Sequence, residues 1–373
     1  MKKNLFLNVL AALLFLGASF GVSTANADPG DGLQFCFKEA KNADSKPELQ
    51  FRQIKSTDTP KTGEVCFDSW YDNGSSDAYS YITSWVNTNA DSYIAVMSDI
   101  NFAGREGDAC KDGKNAFKGK MLKLENSNKV LLYGSLTSSN YKISGLCFTS
   151  TSDDRASFLN GDANVQNLDF DNVYFKSTKD NSKVGIVAEN NKESKHVYQN
   201  IHVSNSEFYG NYAGAVLGYG HGYISNISLT NIVINGGNYA GGVVGQLFAD
   251  VLDLGGGSIN NVYSQFNIQN LKIAKALNSS DEPIFTKDDN YFGGIVGHLT
   301  YDSKRTITKC NLTDLDIQGA AYAGGLFGQV HYNGTKADST ELSDIYIGKT
   351  GTTESVIKGS KFVSSCARFV NGV

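Results

Sequence analysis

The chain has 373 residues with 33 basic and 38 acidic side chains, a formal charge of −5 that becomes −7 once Lys2 and Lys3 leave with a cleaved leader. That mildly acidic balance, without a basic cluster, argues against nucleic acid and anionic membrane as partners. Richness in Gly, Asn, Ser, Thr and Tyr with only 4 prolines suits many short strands joined by tight turns, so an all-β fold is expected.

Lys2 and Lys3, the apolar run from Leu5 to Phe20 and Ala25-Asn26-Ala27 before Asp28 form the charged, apolar and small-residue zones of a secretory signal peptide, residues 1–27. No cysteine sits just after the apolar run, and no later stretch approaches the roughly 20 apolar residues that span a bilayer. The chain is therefore expected to be exported, extracellular or at a bacterial cell surface, without a transmembrane segment. Residues 28–76 read as a small β-rich N-terminal region, in which Cys36 and Cys66 flank one short segment in FCF and VCF contexts. An exported chain can form disulfides, and this pair is the first expected one. Ala78 to Asn89 carries Tyr81, Trp85 and Val86 at helical spacing. It is the candidate cap for the repeat region, residues 77–373, because the open end of a stacked core needs covering. Cys110 and Cys147 bracket the next segment and form the second expected disulfide.

Downstream one pattern returns, with apolar residues at offsets 0, 3, 5, 8 and 10. It reads Val165, Leu168, Phe170, Val173, Phe175; then Ile224, Ile227, Leu229, Ile232, Ile234; then Ile307, Cys310, Leu312, Leu315, Ile317. Looser copies begin at Tyr198 and Leu342, with half copies at Ile143 and at Ile259 with Val262. Such offsets fit neither a continuous strand nor a helix. They fit two short strands, each preceded by a one-residue corner. The corners are Asn167, Asn200, Asn226, Asn261 and Asp344 at offset 2, and Asn172, Asn205, Asn231 and Asp314 at offset 7. Asn and Asp tolerate left-handed backbone, and equivalent Asn side chains can bond along a stack. In this frame Cys310 is a buried free thiol, Cys147 lies between two inward positions and faces out, and Cys366 is unassigned.

Between these patterns lies a glycine string: YAGAVLG from Tyr212, YAGGVVG from Tyr239, YFGGIVG from Tyr291 and YAGGLFG from Tyr322. It supplies the other face of each unit, so neither face is buried until neighbouring units stack.

These residues resemble the GLUG motif of bacterial surface proteins, a GGLVG-like string followed by an I-x-N-x-Y-like strand. The nearest matches are Gly241-Gly242-Val243-Val244-Gly245 with Ser258-Ile259-Asn260-Asn261-Val262-Tyr263, and Gly293-Gly294-Ile295-Val296-Gly297. The segment from Trp85 to Phe148 is similar to the opening of such proteins, and the resemblance runs from about residue 79 to 360. It departs where Thr137-Ser138-Ser139-Asn140-Tyr141 replaces a D-G-N-G-H turn and where Ala215 replaces the second glycine. The resemblance implies a right-handed parallel β-helix, a solenoid of adhesin or cell-surface type.

Chemistry is sparse along the chain. The outward carboxylate pairs Asp169 with Asp171 and Asp314 with Asp316 fall on distant units and read as solvated strand faces, and Asp153-Asp154-Arg155 reads as a polar turn. The five histidines have no metal-ligand spacing; His221 and His331 share an offset but belong to separated units. No catalytic residue, metal or cofactor is expected. Tyr212, Tyr239, Tyr291 and Tyr322 form a column that is either part of the core or, facing outward, an aromatic ladder able to stack on sugar rings. The expected function is a non-enzymatic adhesin or binding scaffold for glycan or protein surfaces, with the long insert Ala274 to Asn290 as the first loop to suspect. The alternatives are a polysaccharide lyase or hydrolase on the same fold, or a structural stalk for a missing C-terminal domain.

Overall fold

The structure, a computed structural model, describes residues 33–68, 70, 77–89, 91–102, 122–124, 129–134, 140–190, 196–249, 261–278, 280–285, 289–301, 305–332, 340–350, 355–365 and 368–371. The leader, Cys110 and Cys366 lie outside them. The described residues form two sheets, one of 19 strands and one of 8, with a single helix.

Leu33–Lys41 pairs antiparallel with both Pro47–Lys55 and Val65–Phe67, setting Cys36 opposite Cys66, which it bonds. This piece is continuous with the parallel stack. Pro47–Lys55 pairs parallel with Ser92–Val96, and Phe35, Phe37, Leu49 and Phe51 join the same core cluster as the repeats. The helix runs Ala78–Thr88 and starts where the Asp77 carboxylate accepts from the Ser80 N–H at 2.6 Å. Ala78, Ile82, Trp85 and Val86 bury their side chains in the N-terminal part of that core. Tyr81 turns instead toward the antiparallel piece and packs against Phe37 and Phe67.

Beyond Ser92–Val96 the pairing is parallel: Val130–Tyr133, Ala163–Asp171, Val197–Ala213, Tyr223–Gly241, Asn261–Lys275, Arg305–Gly324 and Thr340–Gly348 follow one another as neighbours. The offset pattern sets this register. Ile227 pairs with Ile201 and Phe266, and Phe266 with Cys310; Ile234 pairs with Phe208 and Ile273. Like inward positions thus lie over like, and one hydrophobic cluster runs from Phe35 to Val330. Each fully buried Ile, Leu or Phe contributes about 1.5–3 kcal/mol. Where the Tyr198 copy is loose, Ser206 takes the inward position and its hydroxyl accepts from the Val173 N–H at 3.0 Å.

The corners are left-handed, with φ between 49° and 58° at Asn167, Asn172, Asn200, Asn205, Asn226 and Asn231, and φ 56° at Asp314 and 54° at Asp344. Their amides bond along the stack: Asn200 to Asn167 at 2.9 Å, Asn226 to Asn200 at 2.9 Å, Asn231 to Asn205 at 3.0 Å and Asn270 to Asn231 at 2.8 Å. One copy is framed differently from its expectation. The registered unit is Tyr263, Phe266, Ile268, Leu271 and Ile273, with Gln265 (φ 63°) and Asn270 (φ 54°) at its corners, and Asn261 lies in a strand. A glutamine at the first corner disguises this copy.

At each glycine string the chain bends and adds a short strand to the second sheet: Leu217–His221, Val244–Ala249, Val296–Tyr301 and Phe327–Tyr332, all parallel. The last glycine of the string sits where the two sheets meet backbone to backbone. A Cβ on Gly245 would lie 2.6 Å from the Ala213 nitrogen, and one on Gly297 2.5 Å from that of Ala240.

Cys310 is a free buried thiol, pushed up to about 12 by burial. Cys147 faces away from the repeat core as expected, but into a second buried contact rather than solvent: it is fully buried beside Tyr174 and disulfide-bonded. Its expected partner, Cys110, lies outside the described residues.

Candidate functional site

The parallel register gathers the tyrosines into a column in which Tyr212 pairs with Tyr239, Tyr239 with Tyr291 and Tyr291 with Tyr322. The rings lie outside the central hydrophobic cluster, with Tyr212, Tyr239 and Tyr322 half-buried and Tyr291 nearly covered. Tyr239 and Tyr291 stack at 5.6 Å and 17°, Tyr291 and Tyr322 at 4.8 Å and 8°, while Tyr212 tilts 44° from Tyr239. Stacked this way the rings cover one another's faces. What they offer outward is edges and phenol tips, so the column matches neither of the two arrangements left open by the sequence, being outside the core yet no open platform for sugar rings.

The column begins earlier than the tyrosines. Arg155 pairs with Lys183 and Lys183 with Tyr212, so RASFLN and KVGIVAE are degenerate copies of the glycine string with a cation at the tyrosine position. Arg155 is not in a plain turn: its guanidinium holds Glu189 at 2.6 and 3.0 Å and Asp154 at 2.8 Å. Lys183 Nζ lies 3.9 Å from both carboxylates and 5.9 Å from the Tyr219 ring centre. At the other end Lys361 reaches Asp289 at 2.5 Å and lies over Tyr322.

A second column runs beside the first on the other sheet. It consists of the residues directly after the last glycine of each string: Tyr219, Gln246, His298 and Gln329, in parallel register. Aligning the strings one residue further would have revealed it. The Tyr212 and Tyr219 rings touch edge to face at 5.5 Å, and Tyr239 stacks on His298 at 4.8 Å and 21°, so the outer faces of the two strands converge into a shallow groove. His298 is 8% exposed, and its Nδ1 lies 3.0 Å from the Gln246 amide nitrogen. Burial, then the nearby His331, pushes its imidazole down to about 4. A neutral ring accepting from that amide carries its proton on Nε2, which is buried without a partner. Burial raises Tyr212 and Tyr219 and pushes Tyr239 up to about 12, so all three phenols stay protonated at neutral pH.

No protein family, curated protein or solved structure matches this chain.

The remaining candidates fall outside this groove. Asp169 holds His202 at 3.2 Å and raises its imidazole, Asp171 accepts from Ser204 and Asn205, and Asp314 accepts from Thr350. His221 stacks on Phe248, and His298 lies between it and His331 in chain order. The insert is partly docked: Ala276 and Phe285 are buried against Tyr209, whose hydroxyl donates to the Leu277 carbonyl at 2.6 Å. Among the described residues its turn around Asn278–Glu282 is exposed, and Asp289 is brought to the groove's rim. Among the described residues no helix is long and apolar enough to cross a membrane.

Proposed function

We propose that this chain is an exported, non-enzymatic binding scaffold of the bacterial cell surface, built as a right-handed parallel β-helix of the GLUG-motif type. Supporting the architecture are the glycine strings, the left-handed asparagine corners and the unbroken parallel pairing of successive copies. The observation that carries the function is the two-column groove, in which half-buried phenols, amides and an imidazole converge along the stack axis. Such a surface is long, repetitive and fixed by two sheets, which suits recognition of an extended partner.

One observation favours a second reading, a carbohydrate-active enzyme. Asp154 and Glu189 flank Arg155 beside Lys183 and Tyr219 at the end of the groove, the one place along it where carboxylates and a phenol gather among the described residues. Both carboxylates are already engaged by the Arg155 guanidinium, which leaves them poorly placed to meet a substrate. Incubating the mature chain with soluble and insoluble polysaccharides, and scoring retention together with released sugars or unsaturated ends, separates the readings. Retention without products supports the scaffold; any product that disappears in Arg155→Ala transfers the function to that cluster.

A further inference from the structure

We infer that the groove takes a neutral, hydroxyl-rich polysaccharide chain lying along the stack, bound edge-on by the Tyr219 and Tyr239 hydroxyls and the Gln246 and Gln329 amides. This rests on the binding-scaffold reading and narrows its ligand to one class.

Fixed charge is cancelled at both ends of the groove. Arg155 and Lys183 are matched by Asp154 and Glu189, and Lys361 by Asp289. Between them, among the described residues of the two columns, stand phenols, amides and the uncharged His298 imidazole, so these columns themselves bring no fixed charge to meet an acidic or basic chain.

The backbone pairing disfavours a peptide. An extended peptide binds a sheet by adding a strand to an unpaired edge. Here Tyr239 to Gly241 has strands paired on both sides, and so has Val244–Ala249, leaving no backbone edge to augment. Recognition must run through side-chain donors and acceptors. Among the described residues the Tyr219 and Tyr239 hydroxyls and the Gln329 amide have no protein hydrogen-bond partner, and Gln246 keeps its carbonyl oxygen free after donating to His298.

These polar groups repeat along the stack. Equivalent positions recur once per row, about 4.8 Å apart in a parallel ladder. A polymer that presents hydroxyls at every residue can satisfy several rows together. Because stacking occupies the faces of Tyr239, Tyr291 and Tyr322, the hydroxyls rather than the ring faces make the contact.

The test uses Tyr219→Phe combined with Tyr239→Phe, which keeps both rings and their packing and removes only the hydroxyls. Wild type and variant are titrated with soluble neutral β-glucan and galactomannan, with polygalacturonate, and with an unfolded protein. The expected result is retention of a neutral polysaccharide by wild type, weakened about tenfold or more in the variant, the effect of losing two ordinary hydrogen bonds, at an unchanged melting temperature. Equal binding by both proteins overturns the inference but leaves the scaffold reading intact. Retention of only polygalacturonate or only protein does the same. Failure of wild type to bind any of the four overturns both.

Discussion

His298 gives the groove a measurable acid sensitivity. Its imidazole sits at about 4 in the folded chain against an ordinary 6.5, because burial between aromatic rings disfavours the charged form. The folded value is the lower one, so below pH 6.5 the unfolded chain takes up the proton first. Stability from this group is fully present above 6.5 and is lost as the pH falls through 6.5 toward 4. Between pH 7 and pH 5 the loss is about 2 kcal/mol, and the full shift corresponds to about 3 kcal/mol. His298→Phe retains the stacking on Tyr239 and removes the titration, at a fixed cost of about 1 kcal/mol for the Gln246 amide left unpaired. Urea unfolding of both proteins at pH 7 and pH 5 isolates the term, since other acid-sensitive groups are common to both. The wild type should lose about 2 kcal/mol more than the variant over that interval. Equal losses would refute the burial reasoning and mean that the imidazole is solvated.

Three further outcomes are expected. Replacing Cys36 and Cys66 by serine opens a loop of sequence separation 30 and should cost about 3–4 kcal/mol in unfolding experiments. Asn226→Ala loses the bond to Asn200 and forces a left-handed φ of 53° on alanine, so it should cost about 1–2 kcal/mol, with Asn226→Gly regaining roughly half, as read from melting temperatures. Cys310, buried with its thiol pushed up to about 12, should resist a thiol reagent in the folded chain and react at once in denaturant.

What the sequence made legible was whatever repeats with its chemistry intact. The offset pattern placed Ile227, Leu229 and Ile234 inward, the asparagines marked corners because few other residues hold positive φ cheaply, and Cys310 shares the buried place that Leu168 and Ile227 hold in their copies. Copies whose marker residue changed were invisible. Gln265 hid one corner, and Arg155 and Lys183 hid two rows of the tyrosine column, because parallel register is fixed by the backbone and tolerates a new side chain on the outer face. The second column escaped for a related reason: Tyr219, Gln246, His298 and Gln329 share a place and no chemical type. Burial of Cys147 beside Tyr174, and docking of Phe285 over Gly237, depend on contacts between distant segments that no local period encodes.

The most direct test of the stacked register is a ring-to-ring proton contact by nuclear magnetic resonance, in protein labelled only at tyrosine and histidine. Tyr239 should show cross-peaks to Tyr291, 52 positions on, and to His298 across the glycine bend, since the ring centres lie 5.6 and 4.8 Å apart. Contacts confined to rings near in sequence, with none from Tyr239 to Tyr291 or His298, would contradict both the ladder and the groove built on it.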